Sequence, residues 1–190
     1  MTAHEVLTSP HPVLLSARDF WLLAESGAFE QYARSELIEG EIFVVNSQFR
    51  RHARFRRKLV RAFEDALAES NSELEVLDEC SVAFDDGSVP EPDIVLTTDA
   101  QGTGPIPIVS VRLIVEVSDT TLSHDLGRKQ RLYARHGIPE YWVADLDGGR
   151  MVRMWAPEGG EYSESDEWAL GVLVECATIT GLGVNTAILE

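Results

Sequence analysis

Two acids in this sequence stand where a carboxylate is costly. Val111 to Val117 (VRLIVEV) is a nearly unbroken β-branched and aliphatic run, the pattern of a strand buried on both faces, and Glu116 sits near its end. Asp93 follows Pro90-Glu91-Pro92 and leads Ile94, Val95 and Leu96 toward the core. An unpaired carboxylate in such a place needs a cation, a metal, hydrogen bonds or a raised pKa. Two acids at the edges of neighbouring apolar strands can share one divalent ion. Hard oxygen ligands suit Mg²⁺ or Mn²⁺, which keep several waters and need only one or two carboxylates plus a phosphate. Spacing alone is also compatible with two acids that end the sheet in water or pair with arginine.

A lysine follows on what reads as a helix. Winding Asp125 to His136 at about 100° per residue gathers Asp125, Lys129, Leu132, Tyr133 and His136 in one sector, with Arg128, Arg131 and Arg135 on another face. Lys129 thus points with apolar residues, and its ammonium either snorkels to the surface or meets a buried acid. Beside metal-bound water such an amine could orient or help deprotonate the water and offset charge developing on a phosphate.

The formal charge of −16 runs against phosphate binding, which usually leaves a basic footprint. Where the cations sit therefore matters more than their total. Arg50 to Arg61 holds seven of the sixteen Lys and Arg residues and no acid, and Arg128 to Arg135 holds four more, again with no acid. On a helix, Arg50, Arg54, Arg57, Lys58 and Arg61 share a face opposite Phe55, Leu59 and Phe63. That stripe reads as a phosphate track, as an ordinary solvated face, or as an interface for an acidic subunit. His52 lies on the apolar side, where it is either a hydrogen-bonded core histidine or a catalytic one.

Several elements must position these residues. Ser16 and Asp19 have the form of a capping box, and Phe20 to Leu23 supply an apolar stripe for a short helix that ends at Gly27. Glu36 to Val45 reads as a hairpin about Glu39-Gly40, and the four-residue spacing Phe55, Leu59, Phe63, Leu67 predicts a long helix from about Arg50 to Ala68. Strands are expected at Leu74 to Leu77, Ser81 to Phe84, Ile94 to Thr97, Val111 to Val117, Tyr141 to Asp145, Met151 to Trp155 and Trp168 to Val174. A second helix runs from Asp125 to His136, and Gln101 to Pro107 and Pro157 to Gly160 read as loops.

With 190 residues, 44% hydrophobic, the chain suits one soluble domain. It has no run near the roughly 18 apolar residues of a membrane span, and its first twelve residues lack the order of a secretion signal. A cytoplasmic location is the expectation. Cys80 and Cys176 fit no zinc or redox spacing and read as reduced packing residues. No GxSxG, HExxH, Walker or Rossmann pattern is present.

The run LIVEVSDTTLSHDLGRKQRLYARHGIPEYWVADL from Leu113 to Leu146 resembles the signature of the Uma-two family of restriction-endonuclease-like proteins. PEPDIVL from Pro90 to Leu96 is similar to that family's PD motif, SELIEGEIF from Ser35 to Phe43 to its early hairpin, and His52 to a histidine common soon after. The resemblance extends from about Ser16 to Gly183 and implies an α/β restriction-endonuclease-like core of the PD-(D/E)xK kind, a mixed sheet flanked by helices with the active site at one end of the central strands. It implies Asp93 and Glu116 as metal ligands. The usual lysine two positions after the acid is replaced by Ser118, and Lys129 resembles its relocated form. Glu36 is a further candidate acid, and Asp125 reads equally well as a helix N-cap. The expectation is a Mg²⁺-dependent endonuclease acting on DNA as a cytoplasmic homodimer without membrane contact. The alternatives are a catalytically silent module that binds nucleic acid or protein, and a structural homo-oligomer that buries the arginine helix.

Overall fold

The computed structural model describes residues 11–45 and 49–189, so the leader reading falls mostly outside the described residues. Helix α1 (Ala17–Glu25) opens on the expected capping box: Ser16 Oγ accepts from the Asp19 amide at 3.2 Å, and the Asp19 carboxylate accepts from the Ser16 amide at 3.0 Å. The expected apolar stripe is corrected. Only Phe20 is buried, against Leu37 and Val89, while Trp21, Leu22 and Leu23 remain exposed. Four consecutive residues turn through about 300° and cannot share a helix face.

Strands β1 (Arg34–Ile38) and β2 (Glu41–Val45) form the hairpin. Its two-residue turn needs positive φ at both positions, and Glu39 (φ 52°) and Gly40 (φ 79°) supply it. Helix α2 (Arg50–Ser70) buries His52, Phe55, Leu59, Phe63 and Leu67 along one side and ends at Asn71 in the left-handed region. Strands β3 (Glu75–Asp78), β4 (Val82–Ala83), β5 (Ile94–Thr97), β6 (Ile106–Pro107) and β7 (Val111–Ser118) follow. The next helical segment starts three residues earlier than expected: α3 (Leu122–His124) runs through a π-helical turn (Asp125–Lys129) into α4 (Gln130–Arg135). Strands β8 (Glu140–Asp145), β9 (Arg150–Glu158), β10 (Glu161–Ala169), β11 (Leu173–Glu175) and β12 (Gly183–Asn185) complete the order.

The central sheet has six strands in the order β10-β9-β8-β7-β5-β3; β7 and β8 are parallel and every other pair is antiparallel. Period-two alternation sends Leu113, Val115 and Val117 to the α2 side, where they meet Phe63 and Trp142, and sends Ile114 to the α4 side with Leu132, Tyr133 and Val143. Both cysteines are free thiols.

Two further expectations are corrected here. Trp168 to Val174 is not one strand, because Trp168 belongs to β10 and Val174 to β11, with a turn between them. The loop at Pro157 to Gly160 contracts to Gly159-Gly160, with β9 continuing through Glu158. Strand β10 (EYSESDEWA) carries no clean hydrophobic alternation because it is the edge of the sheet, where charge protects against strand addition rather than filling a core.

The C-terminal segment is tied to the sheet by a buried acid. Glu140 accepts from the Trp142 indole N–H at 2.6 Å, the Ala177 amide at 2.9 Å, and the Thr178 amide and hydroxyl, each at 2.8 Å. Replacing Glu140 by Ala leaves the buried Trp142 indole N–H without an acceptor, at about 1–3 kcal/mol before relaxation, and releases the more exposed Ala177 and Thr178 donors that tie the C-terminal segment down. The expected outcome is a urea midpoint shifted down by at least about 2 kcal/mol of stability, with amide exchange quickening first around 176–178.

Candidate active site

Antiparallel register brings the two strand acids together. Ile94 pairs with Val115 and Val95 with Ile114, so one further step sets Asp93 across from Glu116, both on the α4 face of the sheet. Asp93 and Glu116 are each 1% exposed. Both line one cavity of about 350 Å³ at the C-terminal end of β7, together with Arg34, Glu36, His52 and Lys129.

Each acid is held by its own donors. Asp93 accepts from Arg34 Nη1 at 3.0 Å on one oxygen and, on the other, from the Val117 amide at 2.7 Å and His52 Nε2 at 3.2 Å. Burial opposes its ionisation, but the His52 hydrogen bond and the Arg34 charge outweigh burial and hold it below the usual carboxylate range. Glu116 accepts from Lys129 Nζ at 3.0 Å and the Tyr133 hydroxyl at 2.8 Å, both on one oxygen. Burial pushes Glu116 up to about 8, against the pull of Lys129, and the neighbouring charges of Asp93, Asp125 and Glu36 add to the push.

Lys129 does not snorkel. It is 2% exposed, and its ammonium also lies 3.1 Å from Glu36. Burial alone would depress its pKa; Glu116 and Glu36 raise it instead, so it stays charged. The π-helical turn, whose Gln130 amide reaches the Asp125 carbonyl, brings Lys129 and Asp125 inward together. Asp125 is not the N-cap of this helix, because the helix already begins at Leu122. Its carboxylate accepts from Ser118 and Thr121 and so ties the end of β7 to the helix. Ser118, which stands where the motif has lysine, is taken up by that contact.

The hairpin supplies Arg34 and Glu36 on one face of β1, and Glu36 is further fixed by the Glu91 amide at 3.2 Å. The helix arginines lock the hairpin: Arg128 binds Glu39 at 2.8 Å and also Glu41, and Arg135 binds Glu39 at 2.6 Å. The stripe on α2 faces outward. Arg50, Arg54, Arg57 and Arg61 are exposed and Lys58 is half-buried; Arg54, Arg57, Lys58 and Arg61 border one shallow groove. Arg51, which lies outside the stripe, binds Asp119 and Asp147 beside the cavity.

Three participants were not anticipated. Arg34 could have been found by period two from Glu36, and Tyr133 by its four-residue spacing from Lys129. His124 carried no signal: its ring lies against Phe43, with centroids 4.8 Å apart, and its Nε2 is buried without a hydrogen-bond partner among the described residues.

Two outcomes test this geometry. Lys129→Met leaves Glu116 and Glu36 without their shared cation and costs about 3–5 kcal/mol, while adding Glu116→Gln recovers part of that loss in a double-mutant cycle. With a folded pKa above the ordinary 4.5, folded Glu116 keeps a proton that the unfolded chain sheds. In EDTA, stability therefore falls as pH rises from about 4.5 to about 8 relative to Glu116→Gln, read as Tm against pH.

Among curated proteins, none matches this sequence. Among solved structures, one described as a putative nuclease belonging to DUF820 from Anabaena variabilis superposes with a TM-score of 0.68 at 19% identity, covering 94% of this chain and 97% of that one. At that identity the likeness speaks for the fold alone, a mixed α/β core around a six-stranded sheet. The DrdV–DNA complex aligns with 60% of this chain and 12% of its own, at 15% identity and a TM-score of 0.32, too loose for a shared fold. The family described as Uma2, Putative restriction endonuclease, matches residues 19–187, nearly the whole chain, and this protein belongs to it.

Proposed function

We propose that the protein is a divalent-metal-dependent nuclease that hydrolyses phosphodiester bonds of DNA, with Asp93, Glu116 and Lys129 as its core. The observation that carries this reading is the adjacent strand pair Asp93 and Glu116 with the Lys129 ammonium 3.0 Å from Glu116, on the wall of one cavity. Family membership supports it.

The donor set fits a hard divalent ion. Four acids, Asp93, Glu116, Glu36 and Asp125, are buried here beside only two side chains of fixed positive charge, Arg34 and Lys129, so the site is rich in carboxyl oxygens held out of water. Among the described residues no three His, Cys, Asp or Glu side chains form a ready cage. Mg²⁺ and Mn²⁺ do not require one, since they retain waters and take one or two carboxylates. Asp93 and Glu116 would hold the ion, which supplies Lewis-acid polarisation of the phosphate and a water of lowered pKa. His52 and Arg34 orient Asp93, Tyr133 fixes the Glu116 carboxylate, and Lys129 holds positive charge where a phosphate oxygen becomes more negative. Arg50, Arg54, Arg57, Lys58 and Arg61 offer the backbone a track of positive charge.

A second reading is a silent DNA-binding module. It is favoured by the state of Asp93, both of whose oxygens already accept from Arg34, His52 and the Val117 amide. Cleavage separates the two. The nuclease reading expects Mg²⁺- or Mn²⁺-dependent nicking of plasmid DNA that falls at least about 100-fold in Glu116→Gln and in Asp93→Asn, the scale of losing one electrostatic or acid–base contribution. Arg57→Glu with Arg61→Glu is expected to weaken DNA binding and flatten its salt dependence in filter binding. Undiminished cleavage in both carboxylate variants, or none with any divalent metal, removes the nuclease reading.

A further inference from the structure

The cavity has a second wall that phosphate chemistry does not call for. Strand β2 lines it with Phe43, Val44 and Val45, and Phe49 joins them just before α2. Phe49 is 62% exposed and Val44 40% exposed, so apolar surface stands open to water beside a cluster of buried charges. A phosphodiester needs cations and hydrogen-bond donors and gains little from a phenyl ring. A nucleobase gains a great deal, because stacking on an aromatic side chain contributes to binding whatever the base.

The polar side of the same cavity is not saturated. Arg34 Nε, His52 Nδ1 and His124 Nε2 are buried without a hydrogen-bond partner among the described residues, and all three residues line it. Such groups are costly to leave unmade, and a bound polar ligand satisfies them. The volume, about 350 Å³, lies at the small end of ligand-sized cavities. In an intact duplex the faces of the bases are covered by their neighbours and cannot reach the β2 wall. In an open strand they can. The charged face of α2 begins at Arg50, directly after Phe49, so a backbone leaving the cavity meets positive charge at once.

We propose that the cavity seats one unstacked nucleotide of a DNA strand, with its base against Phe43, Phe49 and His124 and its phosphate facing Lys129 and Arg34. The preferred substrate is then single-stranded or locally opened DNA rather than a closed duplex. This rests on the nuclease reading for the position of the phosphate, but base stacking is measurable without cleavage.

The test uses the full chain and a fluorescent 15-nucleotide strand, free or closed into a hairpin duplex, first in EDTA for binding and then with Mg²⁺ or Mn²⁺ for cleavage. The open strand is expected to bind at least tenfold tighter than the duplex. Phe49→Ala is expected to lose about tenfold for the open strand alone, within the range that base–aromatic stacking provides, and Phe49→Trp to retain binding. Phe49 is exposed, so folding is not at stake in either variant. Equal or tighter duplex binding, or an open-strand affinity indifferent to Phe49→Ala, overturns the proposal. Strand preference and Phe49 dependence without cleavage by any metal would leave the nucleotide seat standing and remove the hydrolysis. Cleavage of open and closed DNA at equal rates with Phe49→Ala indifferent would do the reverse.

Discussion

Taking a carboxylate out of water costs several kcal/mol, and one end of this sheet takes out four: Asp93, Glu116, Glu36 and Asp125. Much of the molecule can be understood as the means of tolerating that. Asp93 has an arginine, a histidine and a backbone amide brought to it from β1, α2 and β7. Glu116 and Glu36 share one buried ammonium from the helix beyond β7. Asp125 takes two hydroxyls from the residues just before it. The compensation is local, each acid being met by donors from its own neighbouring elements.

The same requirement explains why the hairpin and the helical segment are fastened to each other. Arg34 and Glu36 are useful only if β1 stays against the end of the sheet, and Arg128 and Arg135 hold it there by gripping Glu39 and Glu41. Exposed pairs of this kind each contribute little to stability. Their value is positional, since they keep β1, with Arg34 and Glu36, against the end of the sheet. The net charge of −16 is consistent with this economy of cations: many basic groups are engaged within the fold, while the outward face of α2 keeps Arg54, Arg57 and Arg61 out of any ion pair among the described residues.

Apolar surface follows a parallel division. Around Phe63 and Trp142 it is closed and provides stability; along β2 and at Phe49 it is left open at the mouth of the charged cavity. An open phenyl ring next to buried charge does little for folding, and it gives the site a face suited to a flat, weakly polar group.

Periodicity and register account for how much of this was readable in advance. The α2 spacing, the Glu39-Gly40 turn, the capping box and the apolar runs of β5 and β7 are local patterns whose physics acts within a few residues, and each element appears where its pattern lies. The candidacy of Asp93, Glu116 and Lys129 was legible because carboxylates and an amine in apolar company demand partners. Strand β10 was not legible, since an edge strand need bury nothing, and neither was the division of Trp168 to Val174 between two sheets. Above all, the partners themselves lie beyond sequence range: Arg34 is 59 residues from Asp93, and Arg128 is 89 from Glu39. Which cation meets which acid is decided by strand order and by a π-helical turn that no local propensity announces, because those contacts exist only after the sheet has closed.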